Sequence, residues 1–480
     1  MNFKEALKDN FNFGYTENGA TKHLTTKSAL LDLFALGGSY RNRSEDDVIL
    51  LFKKAFEENE EYAMKCLFYL RDCRSGAGER RFFRVCMTWL ANNLPSAARR
   101  NMKYIYEYGR YDDYYCFVGT PLEDEAFDFL YKVFITDLNC KTPSLCAKWL
   151  KSVNSSSKET CALGRLTAKK FGLSEAAYRR HLSALRKRIN VVETLISQNR
   201  WNEIQYDKIP SRAGLIYRNA FARHDYERYK AFVSNKNTKV NSSVLTPVDI
   251  ANNVWKINPY DKTERLALQK YWDNLPDYYN GRKENGIAIV DVSGSMYGEP
   301  INAAISMGAY IAQNCEGAFK NHFITFSANP ELVEFEGIDI YDKFRRARNA
   351  NWGYNTNIQA VFDLLLRIAV RNRIPANEMP ERLYIFSDME FDRGMGLSHC
   401  RDKETLFESI AKEWRQHGYE LPKVIFWNLD ARNDNIPVLG ERYSYISGFS
   451  MSMVEQILGG KTGYELMMDK LNTDRYRWIS

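Results

Sequence analysis

Long apolar runs are missing from this chain: none approaches the roughly 18 consecutive apolar residues that a membrane-spanning helix needs, so no membrane association by a helical span is expected. Histidine is scarce, with six in 480 residues. His322, His399 and His417 form no ligand-spaced group, which removes the donor set of a zinc hydrolase. Nine cysteines stand at 66, 73, 86, 116, 140, 146, 161, 315 and 400, without a Cys-x-x-Cys pair and without histidines at zinc spacing. Reduced thiols in a cytoplasmic setting are the simplest expectation. The first ten residues mix both charge signs and lack an apolar centre, so they do not read as a secretory signal. No low-complexity tail stands out, and 45% hydrophobic with 26% charged residues is ordinary globular usage.

What is present is unevenly distributed. The net charge is +7, yet residues 151–239 hold 19 Lys and Arg against 7 Asp and Glu, a local +12 that leaves −5 on the remainder. Such asymmetry is the footprint of a polyanion partner, although a solvated helix surface produces it too.

Periodicity divides the chain. From 25 to about 275 apolar residues recur at helical spacing, as in Val48, Leu50, Leu51, Phe52 and Phe56 behind the cap-like Ser44-Glu45-Asp46-Asp47. Further amphipathic stretches lie at 62–70, 82–90, 125–134, 159–171, 174–196 and 213–232. Many helices with short connections predict a stack of helix pairs of the HEAT-like kind, with an irregular bundle as the alternative. From Asn285 onward short β-rich runs at 287–290, 322–327, 383–387, 424–428 and 443–446 alternate with helical ones. That alternation predicts an open, mainly parallel, doubly wound Rossmann-like sheet with ligands at the carboxyl ends of its strands. The expected fold is thus multidomain, α plus α/β, with a helical module over 1–278 and a sheet domain over 279–480.

Asp291-Val292-Ser293-Gly294-Ser295 follows the first of these strands. A carboxylate and two hydroxyls on alternate residues of a strand-to-helix loop can converge on one hard cation, and magnesium accepts such oxygens while keeping waters. Thr356 precedes a helix beside Tyr354 and Asn355, and Asp388 ends another strand, so a doubly wound sheet can bring both to the first loop. This set resembles the metal-ion-dependent adhesion site (MIDAS) of von Willebrand factor A (vWA) domains, D-x-S-x-S with a later Thr and a later Asp. The resemblance implies that Asp291, Ser293, Ser295, Thr356 and Asp388 hold Mg2+ or another divalent cation, directly or through water. It leaves one coordination position for a carboxylate from a protein ligand. A loop that merely caps a helix is the plainer alternative. Catalysis is not expected: an aspartyl phosphotransferase would want a carboxylate where Ser293 stands, and no general base sits beside an activated nucleophile.

In the helical half, Arg71-Asp72-Cys73-Arg74-Ser75-Gly76-Ala77-Gly78-Glu79-Arg80 and Gly109-Arg110-Tyr111-Asp112-Asp113 resemble two strings of the TROVE module of Ro autoantigen-like proteins. The stretches Lys148–Asn154, Tyr178–Arg186 and Ile209–Ala213 are similar to those of a less studied branch, known as a domain of unknown function. That resemblance implies a helical module, closing into a ring in the Ro proteins, followed by a vWA domain. It also implies a non-enzymatic ribonucleoprotein that binds structured or single-stranded RNA. The implied phosphate contacts, chosen by charge, are Lys169, Lys170, Arg179, Arg180, Arg186, Lys187, Arg188, Arg212, Arg218 and Arg223, with His181, Tyr178 or Tyr217 stacking on bases. A protein-interaction scaffold without RNA, recruiting a carboxylate to the metal, is the competing expectation. The Arg71–Asp113 strings could instead form a buried ion-pair network, and Tyr111, Tyr114, Tyr115 and Phe117 could be core rather than stacking platforms.

Overall fold

The computed structural model describes residues 11–189, 191–326, 329–350, 356–393, 404–461 and 463–480. Ser327, Tyr354, Asn355, His399 and Cys400, named above, lie outside these. The chain is largely helical before a C-terminal mixed sheet with parallel strands, and it forms two compact units. One gathers residues 1–66 and 242–477; the other gathers 67–241 and 478–480. The division at 278/279 follows the change of periodicity, whereas these units follow packing, so the two lines fall in different places.

In the first unit, β1 (Phe13–Tyr15) and β2 (Thr21–His23) form an antiparallel hairpin with Phe13 opposite His23. Six further strands, β3 (Gly286–Val290), β4 (His322–Thr325), β5 (Leu332–Glu334), β6 (Arg382–Ser387), β7 (Lys423–Asn428) and β8 (Tyr443–Ser447), form one sheet. Its order is β5-β4-β3-β6-β7-β8. All neighbours are parallel except β4 and β5. The five expected strands are all present; β5 is additional, too short and too polar to carry a period. β3 is buried along its whole length, as a strand covered on both faces requires. The helix Glu299–Asn314 approaches it closely at Gly308, where an added Cβ would lie 2.5 Å from Val290 Cγ2. The helix Ala29–Leu36 leads into Gly38, whose N–H donates to Ser447 Oγ on β8 at 2.9 Å, so the edge strand is covered by the N-terminal segment. Because β4 and β6 flank β3, the topological switch point lies at β3, between its two parallel neighbours.

The second unit is helical. Ser44 caps its predicted helix in the first unit, accepting from Asp47 N, and here Ser157 and Ser174 do the same for Lys158–Lys170 and Glu175–Arg188. Two long predicted helices are each broken. Residues 174–196 become Glu175–Arg188 and Val192–Ser197, and residues 213–232 divide into Ser211–His224 and Tyr226–Ser234 about Asp225. Apolar spacing continues through such breaks and conceals them. The Arg71–Asp113 network is present: Asp113, fully buried, accepts from Arg71 Nε and Arg84 Nε, both at 2.8 Å. Tyr111, Tyr114 and Phe117 are buried, and the Tyr114 hydroxyl donates to Met102 O while its ring stacks on Phe129 at 4.9 Å. These rings are core.

Candidate metal centre and basic helical face

The loop after β3 turns on hydrogen bonds of Asp291 itself. Its Oδ1 accepts from Ser293 N at 2.8 Å, and its Oδ2 from the Ser387 hydroxyl, at the end of β6, at 2.6 Å. The Ser293 and Ser295 hydroxyl oxygens are 2.9 Å apart. Asp388, the residue after β6, accepts from Glu390 N at 3.2 Å and from Arg432 Nη2 at 3.0 Å, and the Ser295 hydroxyl bonds to its carboxyl. Asp291 is 0% and Asp388 1% exposed. Burial, then the facing Asp388, push the Asp291 carboxyl above its usual range; burial raises Asp388 as well. Two buried carboxylates therefore repel one another, and among the described residues only Asp388 has a cationic partner.

Four of the five expected ligands are brought together. Thr356 stands one step away, with its hydroxyl donating to Asp392 Oδ1 at 2.5 Å and accepting from Asn18 Nδ2 at 2.8 Å. Among the described residues no bond joins Thr356 directly to the other four. Asn18 lies in the turn between β1 and β2 and also donates to Glu390 O at 2.6 Å, while Glu17 accepts from Arg432 Nη1 at 2.5 Å. The N-terminal hairpin thus supplies residues that the sequence reading missed, as are Ser387, Glu390, Asp392 and Arg432. A contact across more than 300 residues carries no local signal.

Among the described residues, no group of three or more His, Cys, Asp and Glu side chains is placed to hold a metal. The loop after β3 and the residue after β6 offer two carboxylates and two hydroxyls instead, the kind of oxygens a small hard cation takes. Ligands at about 2.1 Å on adjacent corners of an octahedron lie about 3.0 Å apart, a separation close to that of the Ser293 and Ser295 hydroxyls, which here share a hydrogen bond. Asp291, whose partners here are neutral, would gain the missing positive charge.

The basic segment is sorted by its contacts. Arg179 and Arg180 on the helix Glu175–Arg188, with Lys187, are exposed and line a groove of about 1030 Å3 together with Ser152, Asn154 and Gln198. Lys169, Arg212 and Arg223 are also exposed. The remaining expected phosphate contacts have partners in the protein, Arg188 among them although it is exposed. Arg186, which also lines the groove, donates to Ala147 O, Leu150 O and Ser152 Oγ, all at 2.8–2.9 Å. Arg188 donates to the carbonyls of Asp137 and Leu138, capping the helix Glu123–Asn139, and Lys170 pairs with Glu123 at 2.6 Å and Asp124 at 2.5 Å. Arg218 is buried and donates to Leu215 O. Tyr178 is fully buried, its hydroxyl on Lys151 O, and cannot stack on a base. His181 and Tyr217 are half-buried against Phe134 and Phe221. Charge alone cannot separate a helix-capping arginine from a solvent-facing one.

Comparison with known proteins adds the following. Residues 285–475 match the family described as Domain of unknown function (DUF7788), and residues 16–113 and 146–277 match Domain of unknown function (DUF2828). An uncharacterized protein, L728, of Acanthamoeba polyphaga mimivirus is 30% identical over 498 aligned positions, covering 94% of this chain and 85% of that one. The crystal structure of the Deinococcus radiodurans RO (RSR) protein aligns with a TM-score of 0.49 at 13% identity, over 93% of this chain and 99% of that one.

Proposed function

The chain belongs to the protein family that includes the mimivirus protein L728, and from that premise we propose that it is a non-enzymatic RNA-binding protein with a divalent-cation site of the vWA type. The observation that carries the RNA reading is the groove beside Arg179, Arg180 and Lys187. These three cations are exposed and have no carboxylate partner among the described residues, while amides and hydroxyls line the same surface. Cations so placed neutralise backbone phosphates, and neutral donors and acceptors suit unpaired base edges and 2′-hydroxyls. The motif resemblance of the Arg71 and Arg110 strings to the TROVE module points the same way. The cation site rests on the Ser293–Ser295 spacing and on the paired, buried Asp291 and Asp388. In it, Asp291, Ser293, Ser295 and Asp388 would hold Mg2+, with Thr356 contributing through its hydroxyl or a water; the bound ion would offer a docking point for an anionic oxygen.

The test is filter binding of single-stranded and structured RNA across a salt series, using the wild-type chain and Arg179→Glu/Arg180→Glu/Lys187→Glu. Loss of three phosphate contacts is expected to lower the slope of log affinity against log salt by about 2 for a single strand. An unchanged slope, or wild-type affinity no higher for RNA than for an unrelated polyanion, defeats the reading.

A further inference from the structure

The hairpin β1–β2 closes on the candidate cation site through its turn. Asn18 donates from Nδ2 to the Thr356 hydroxyl at 2.8 Å and to Glu390 O at 2.6 Å, so one amide ties the segment before the helix Ile358–Asn372 to the loop after β6. Beside it, Glu17 accepts from Arg432 Nη1, while Nη2 of the same guanidinium goes to Asp388 Oδ2 at 3.0 Å. The turn therefore touches one of the five expected ligands, Thr356, directly and a second, Asp388, through a single arginine. Further bonds seat it: the Thr16 hydroxyl donates to Phe391 O at 2.7 Å, Glu17 N to Glu390 Oε2 at 2.8 Å and Arg393 N to Asn18 O at 3.0 Å.

Charge shows what the arrangement lacks. Asp291, Asp388 and Glu390 are buried, with Glu17 exposed and Asp392 half-buried beside them. Among the described residues Arg432 is the only cation in an ion pair with any of these five carboxylates. Lys22, on β2, gives its ammonium to Asp434 O and Asn435 Oδ1 instead. Glu390 is met by the neutral donors Asn433 Nδ2 and Glu17 N. Seating the hairpin thus adds one more carboxylate, Glu17, to a cluster already short of positive charge, and a cation bound at Asp291 and Asp388 would relieve that repulsion. Glu17 also acts on Arg432. By holding one arm of the guanidinium it leaves Asp388 a single contact, where an unshared arginine would pair with that carboxylate through both arms and compete with a metal ion for it.

We propose that the turn Glu17-Asn18, acting through Arg432 and Thr356, couples the seating of the hairpin to divalent-cation binding, so that the segment the cation site serves is this chain's own hairpin. The inference rests on the cation site proposed above and names its partner: a turn held in cis against the ends of β6 and β7, rather than a carboxylate brought by a separate protein. Linkage makes the effect reciprocal, since whatever the seated turn adds to the affinity for the ion is returned as stability of the seated turn.

Calorimetric titration of Mg2+ into the full chain, with hydrogen exchange of residues 13–24 compared before and after saturation, tests the coupling. Mg2+ is expected to slow exchange of the hairpin amides in the wild-type chain and not in Asp291→Ala. Glu17→Gln and Asn18→Ala, both at exposed positions where the fold tolerates change, should each weaken Mg2+ binding about tenfold, within the range usual for coupled sites. Arg432→Gln should strengthen it, because Asp388 loses its competing cation, and should shrink the effect of Glu17→Gln in the double variant. Mg2+ binding that leaves hairpin exchange unchanged, that is indifferent to Glu17→Gln and Asn18→Ala, or that loses as much to Glu17→Gln with Arg432 as without it overturns the proposal. Each of those results leaves the cation site standing, its docking position then open to a ligand from another protein. Absence of saturable Mg2+ binding overturns the cation site itself, and the proposal with it.

Discussion

Asp113 sits fully buried between Arg71 and Arg84, and its protonation state decides whether those guanidinium groups are neutralised. Burial works to raise its carboxyl, but the two arginines and their hydrogen bonds outweigh burial and hold it below its ordinary value. A carboxylate depressed in the folded state contributes stability that is present above its unfolded value, about 3.9, and is lost as pH falls through the folded one. Urea unfolding followed from pH 7 downward should therefore show stability declining below about pH 4. Asp113→Asn should lose roughly 3–5 kcal/mol at neutral pH, because Arg71 keeps its buried charge without a partner, and should flatten the acid limb of the curve. The loop after β3 makes a different demand on single residues. Mg2+ at a hundredfold excess over its Kd should stabilise the wild-type chain by roughly 2.7 kcal/mol. In Asp291→Ala or Ser295→Ala that shift in Tm should disappear; a shift that survives both variants would place the cation elsewhere.

Between elements, as Gly38 does against Ser447 of β8, Gly308 allows close approach where the helix Glu299–Asn314 meets β3. Alanine there would gain about 1 kcal/mol of helix propensity, but its Cβ would stand 2.5 Å from Val290 Cγ2, and overpacking of that kind costs roughly 1–3 kcal/mol. Gly308→Ala is expected to lower Tm, and Val290→Ala in the same chain should restore part of the loss; an additive double variant would show that the contact is not the cause. Five of the six strands of the sheet were legible because each is a short apolar run, which β5 is not, and Asp291 and Asp388 could be placed at strand ends because each closely follows such a run. The hairpin β1–β2 was not legible in this way. Its strands have three residues each, and Asn18 and Glu17 gain their roles only through contacts with Thr356, Glu390 and Arg432. The helix breaks near 189 and at Asp225 were hidden for the opposite reason, an apolar spacing that runs on across them.

At the scale of the whole chain, the two proposed activities fall in different compact units. All the candidate phosphate contacts lie within 67–241, and Asp291, Ser293, Ser295, Thr356 and Asp388 lie within the unit of 1–66 and 242–477. The excess of +12 over residues 151–239 singled out the segment of the first of these from sequence, but not which cations are bound to the fold: Arg186 and Arg218 spend donors on backbone carbonyls, as does Arg188 although it is exposed. That difference separates two effects of charge removal. Substituting Arg179, Arg180 and Lys187 should weaken RNA binding and reduce its salt slope while leaving the unfolding free energy without RNA within about 0.5 kcal/mol of wild type, as exposed positions do. Arg186→Ala should instead destabilise the fold by about 1–3 kcal/mol, since Ala147 O and Leu150 O lose their donor. Its RNA salt slope, measured at a temperature where the variant is folded, should match wild type. A slope that falls with Arg186→Ala as it does with Arg179→Glu would mean that half-buried arginine reaches the phosphates after all, and that net charge, rather than exposure, was the right guide to the face.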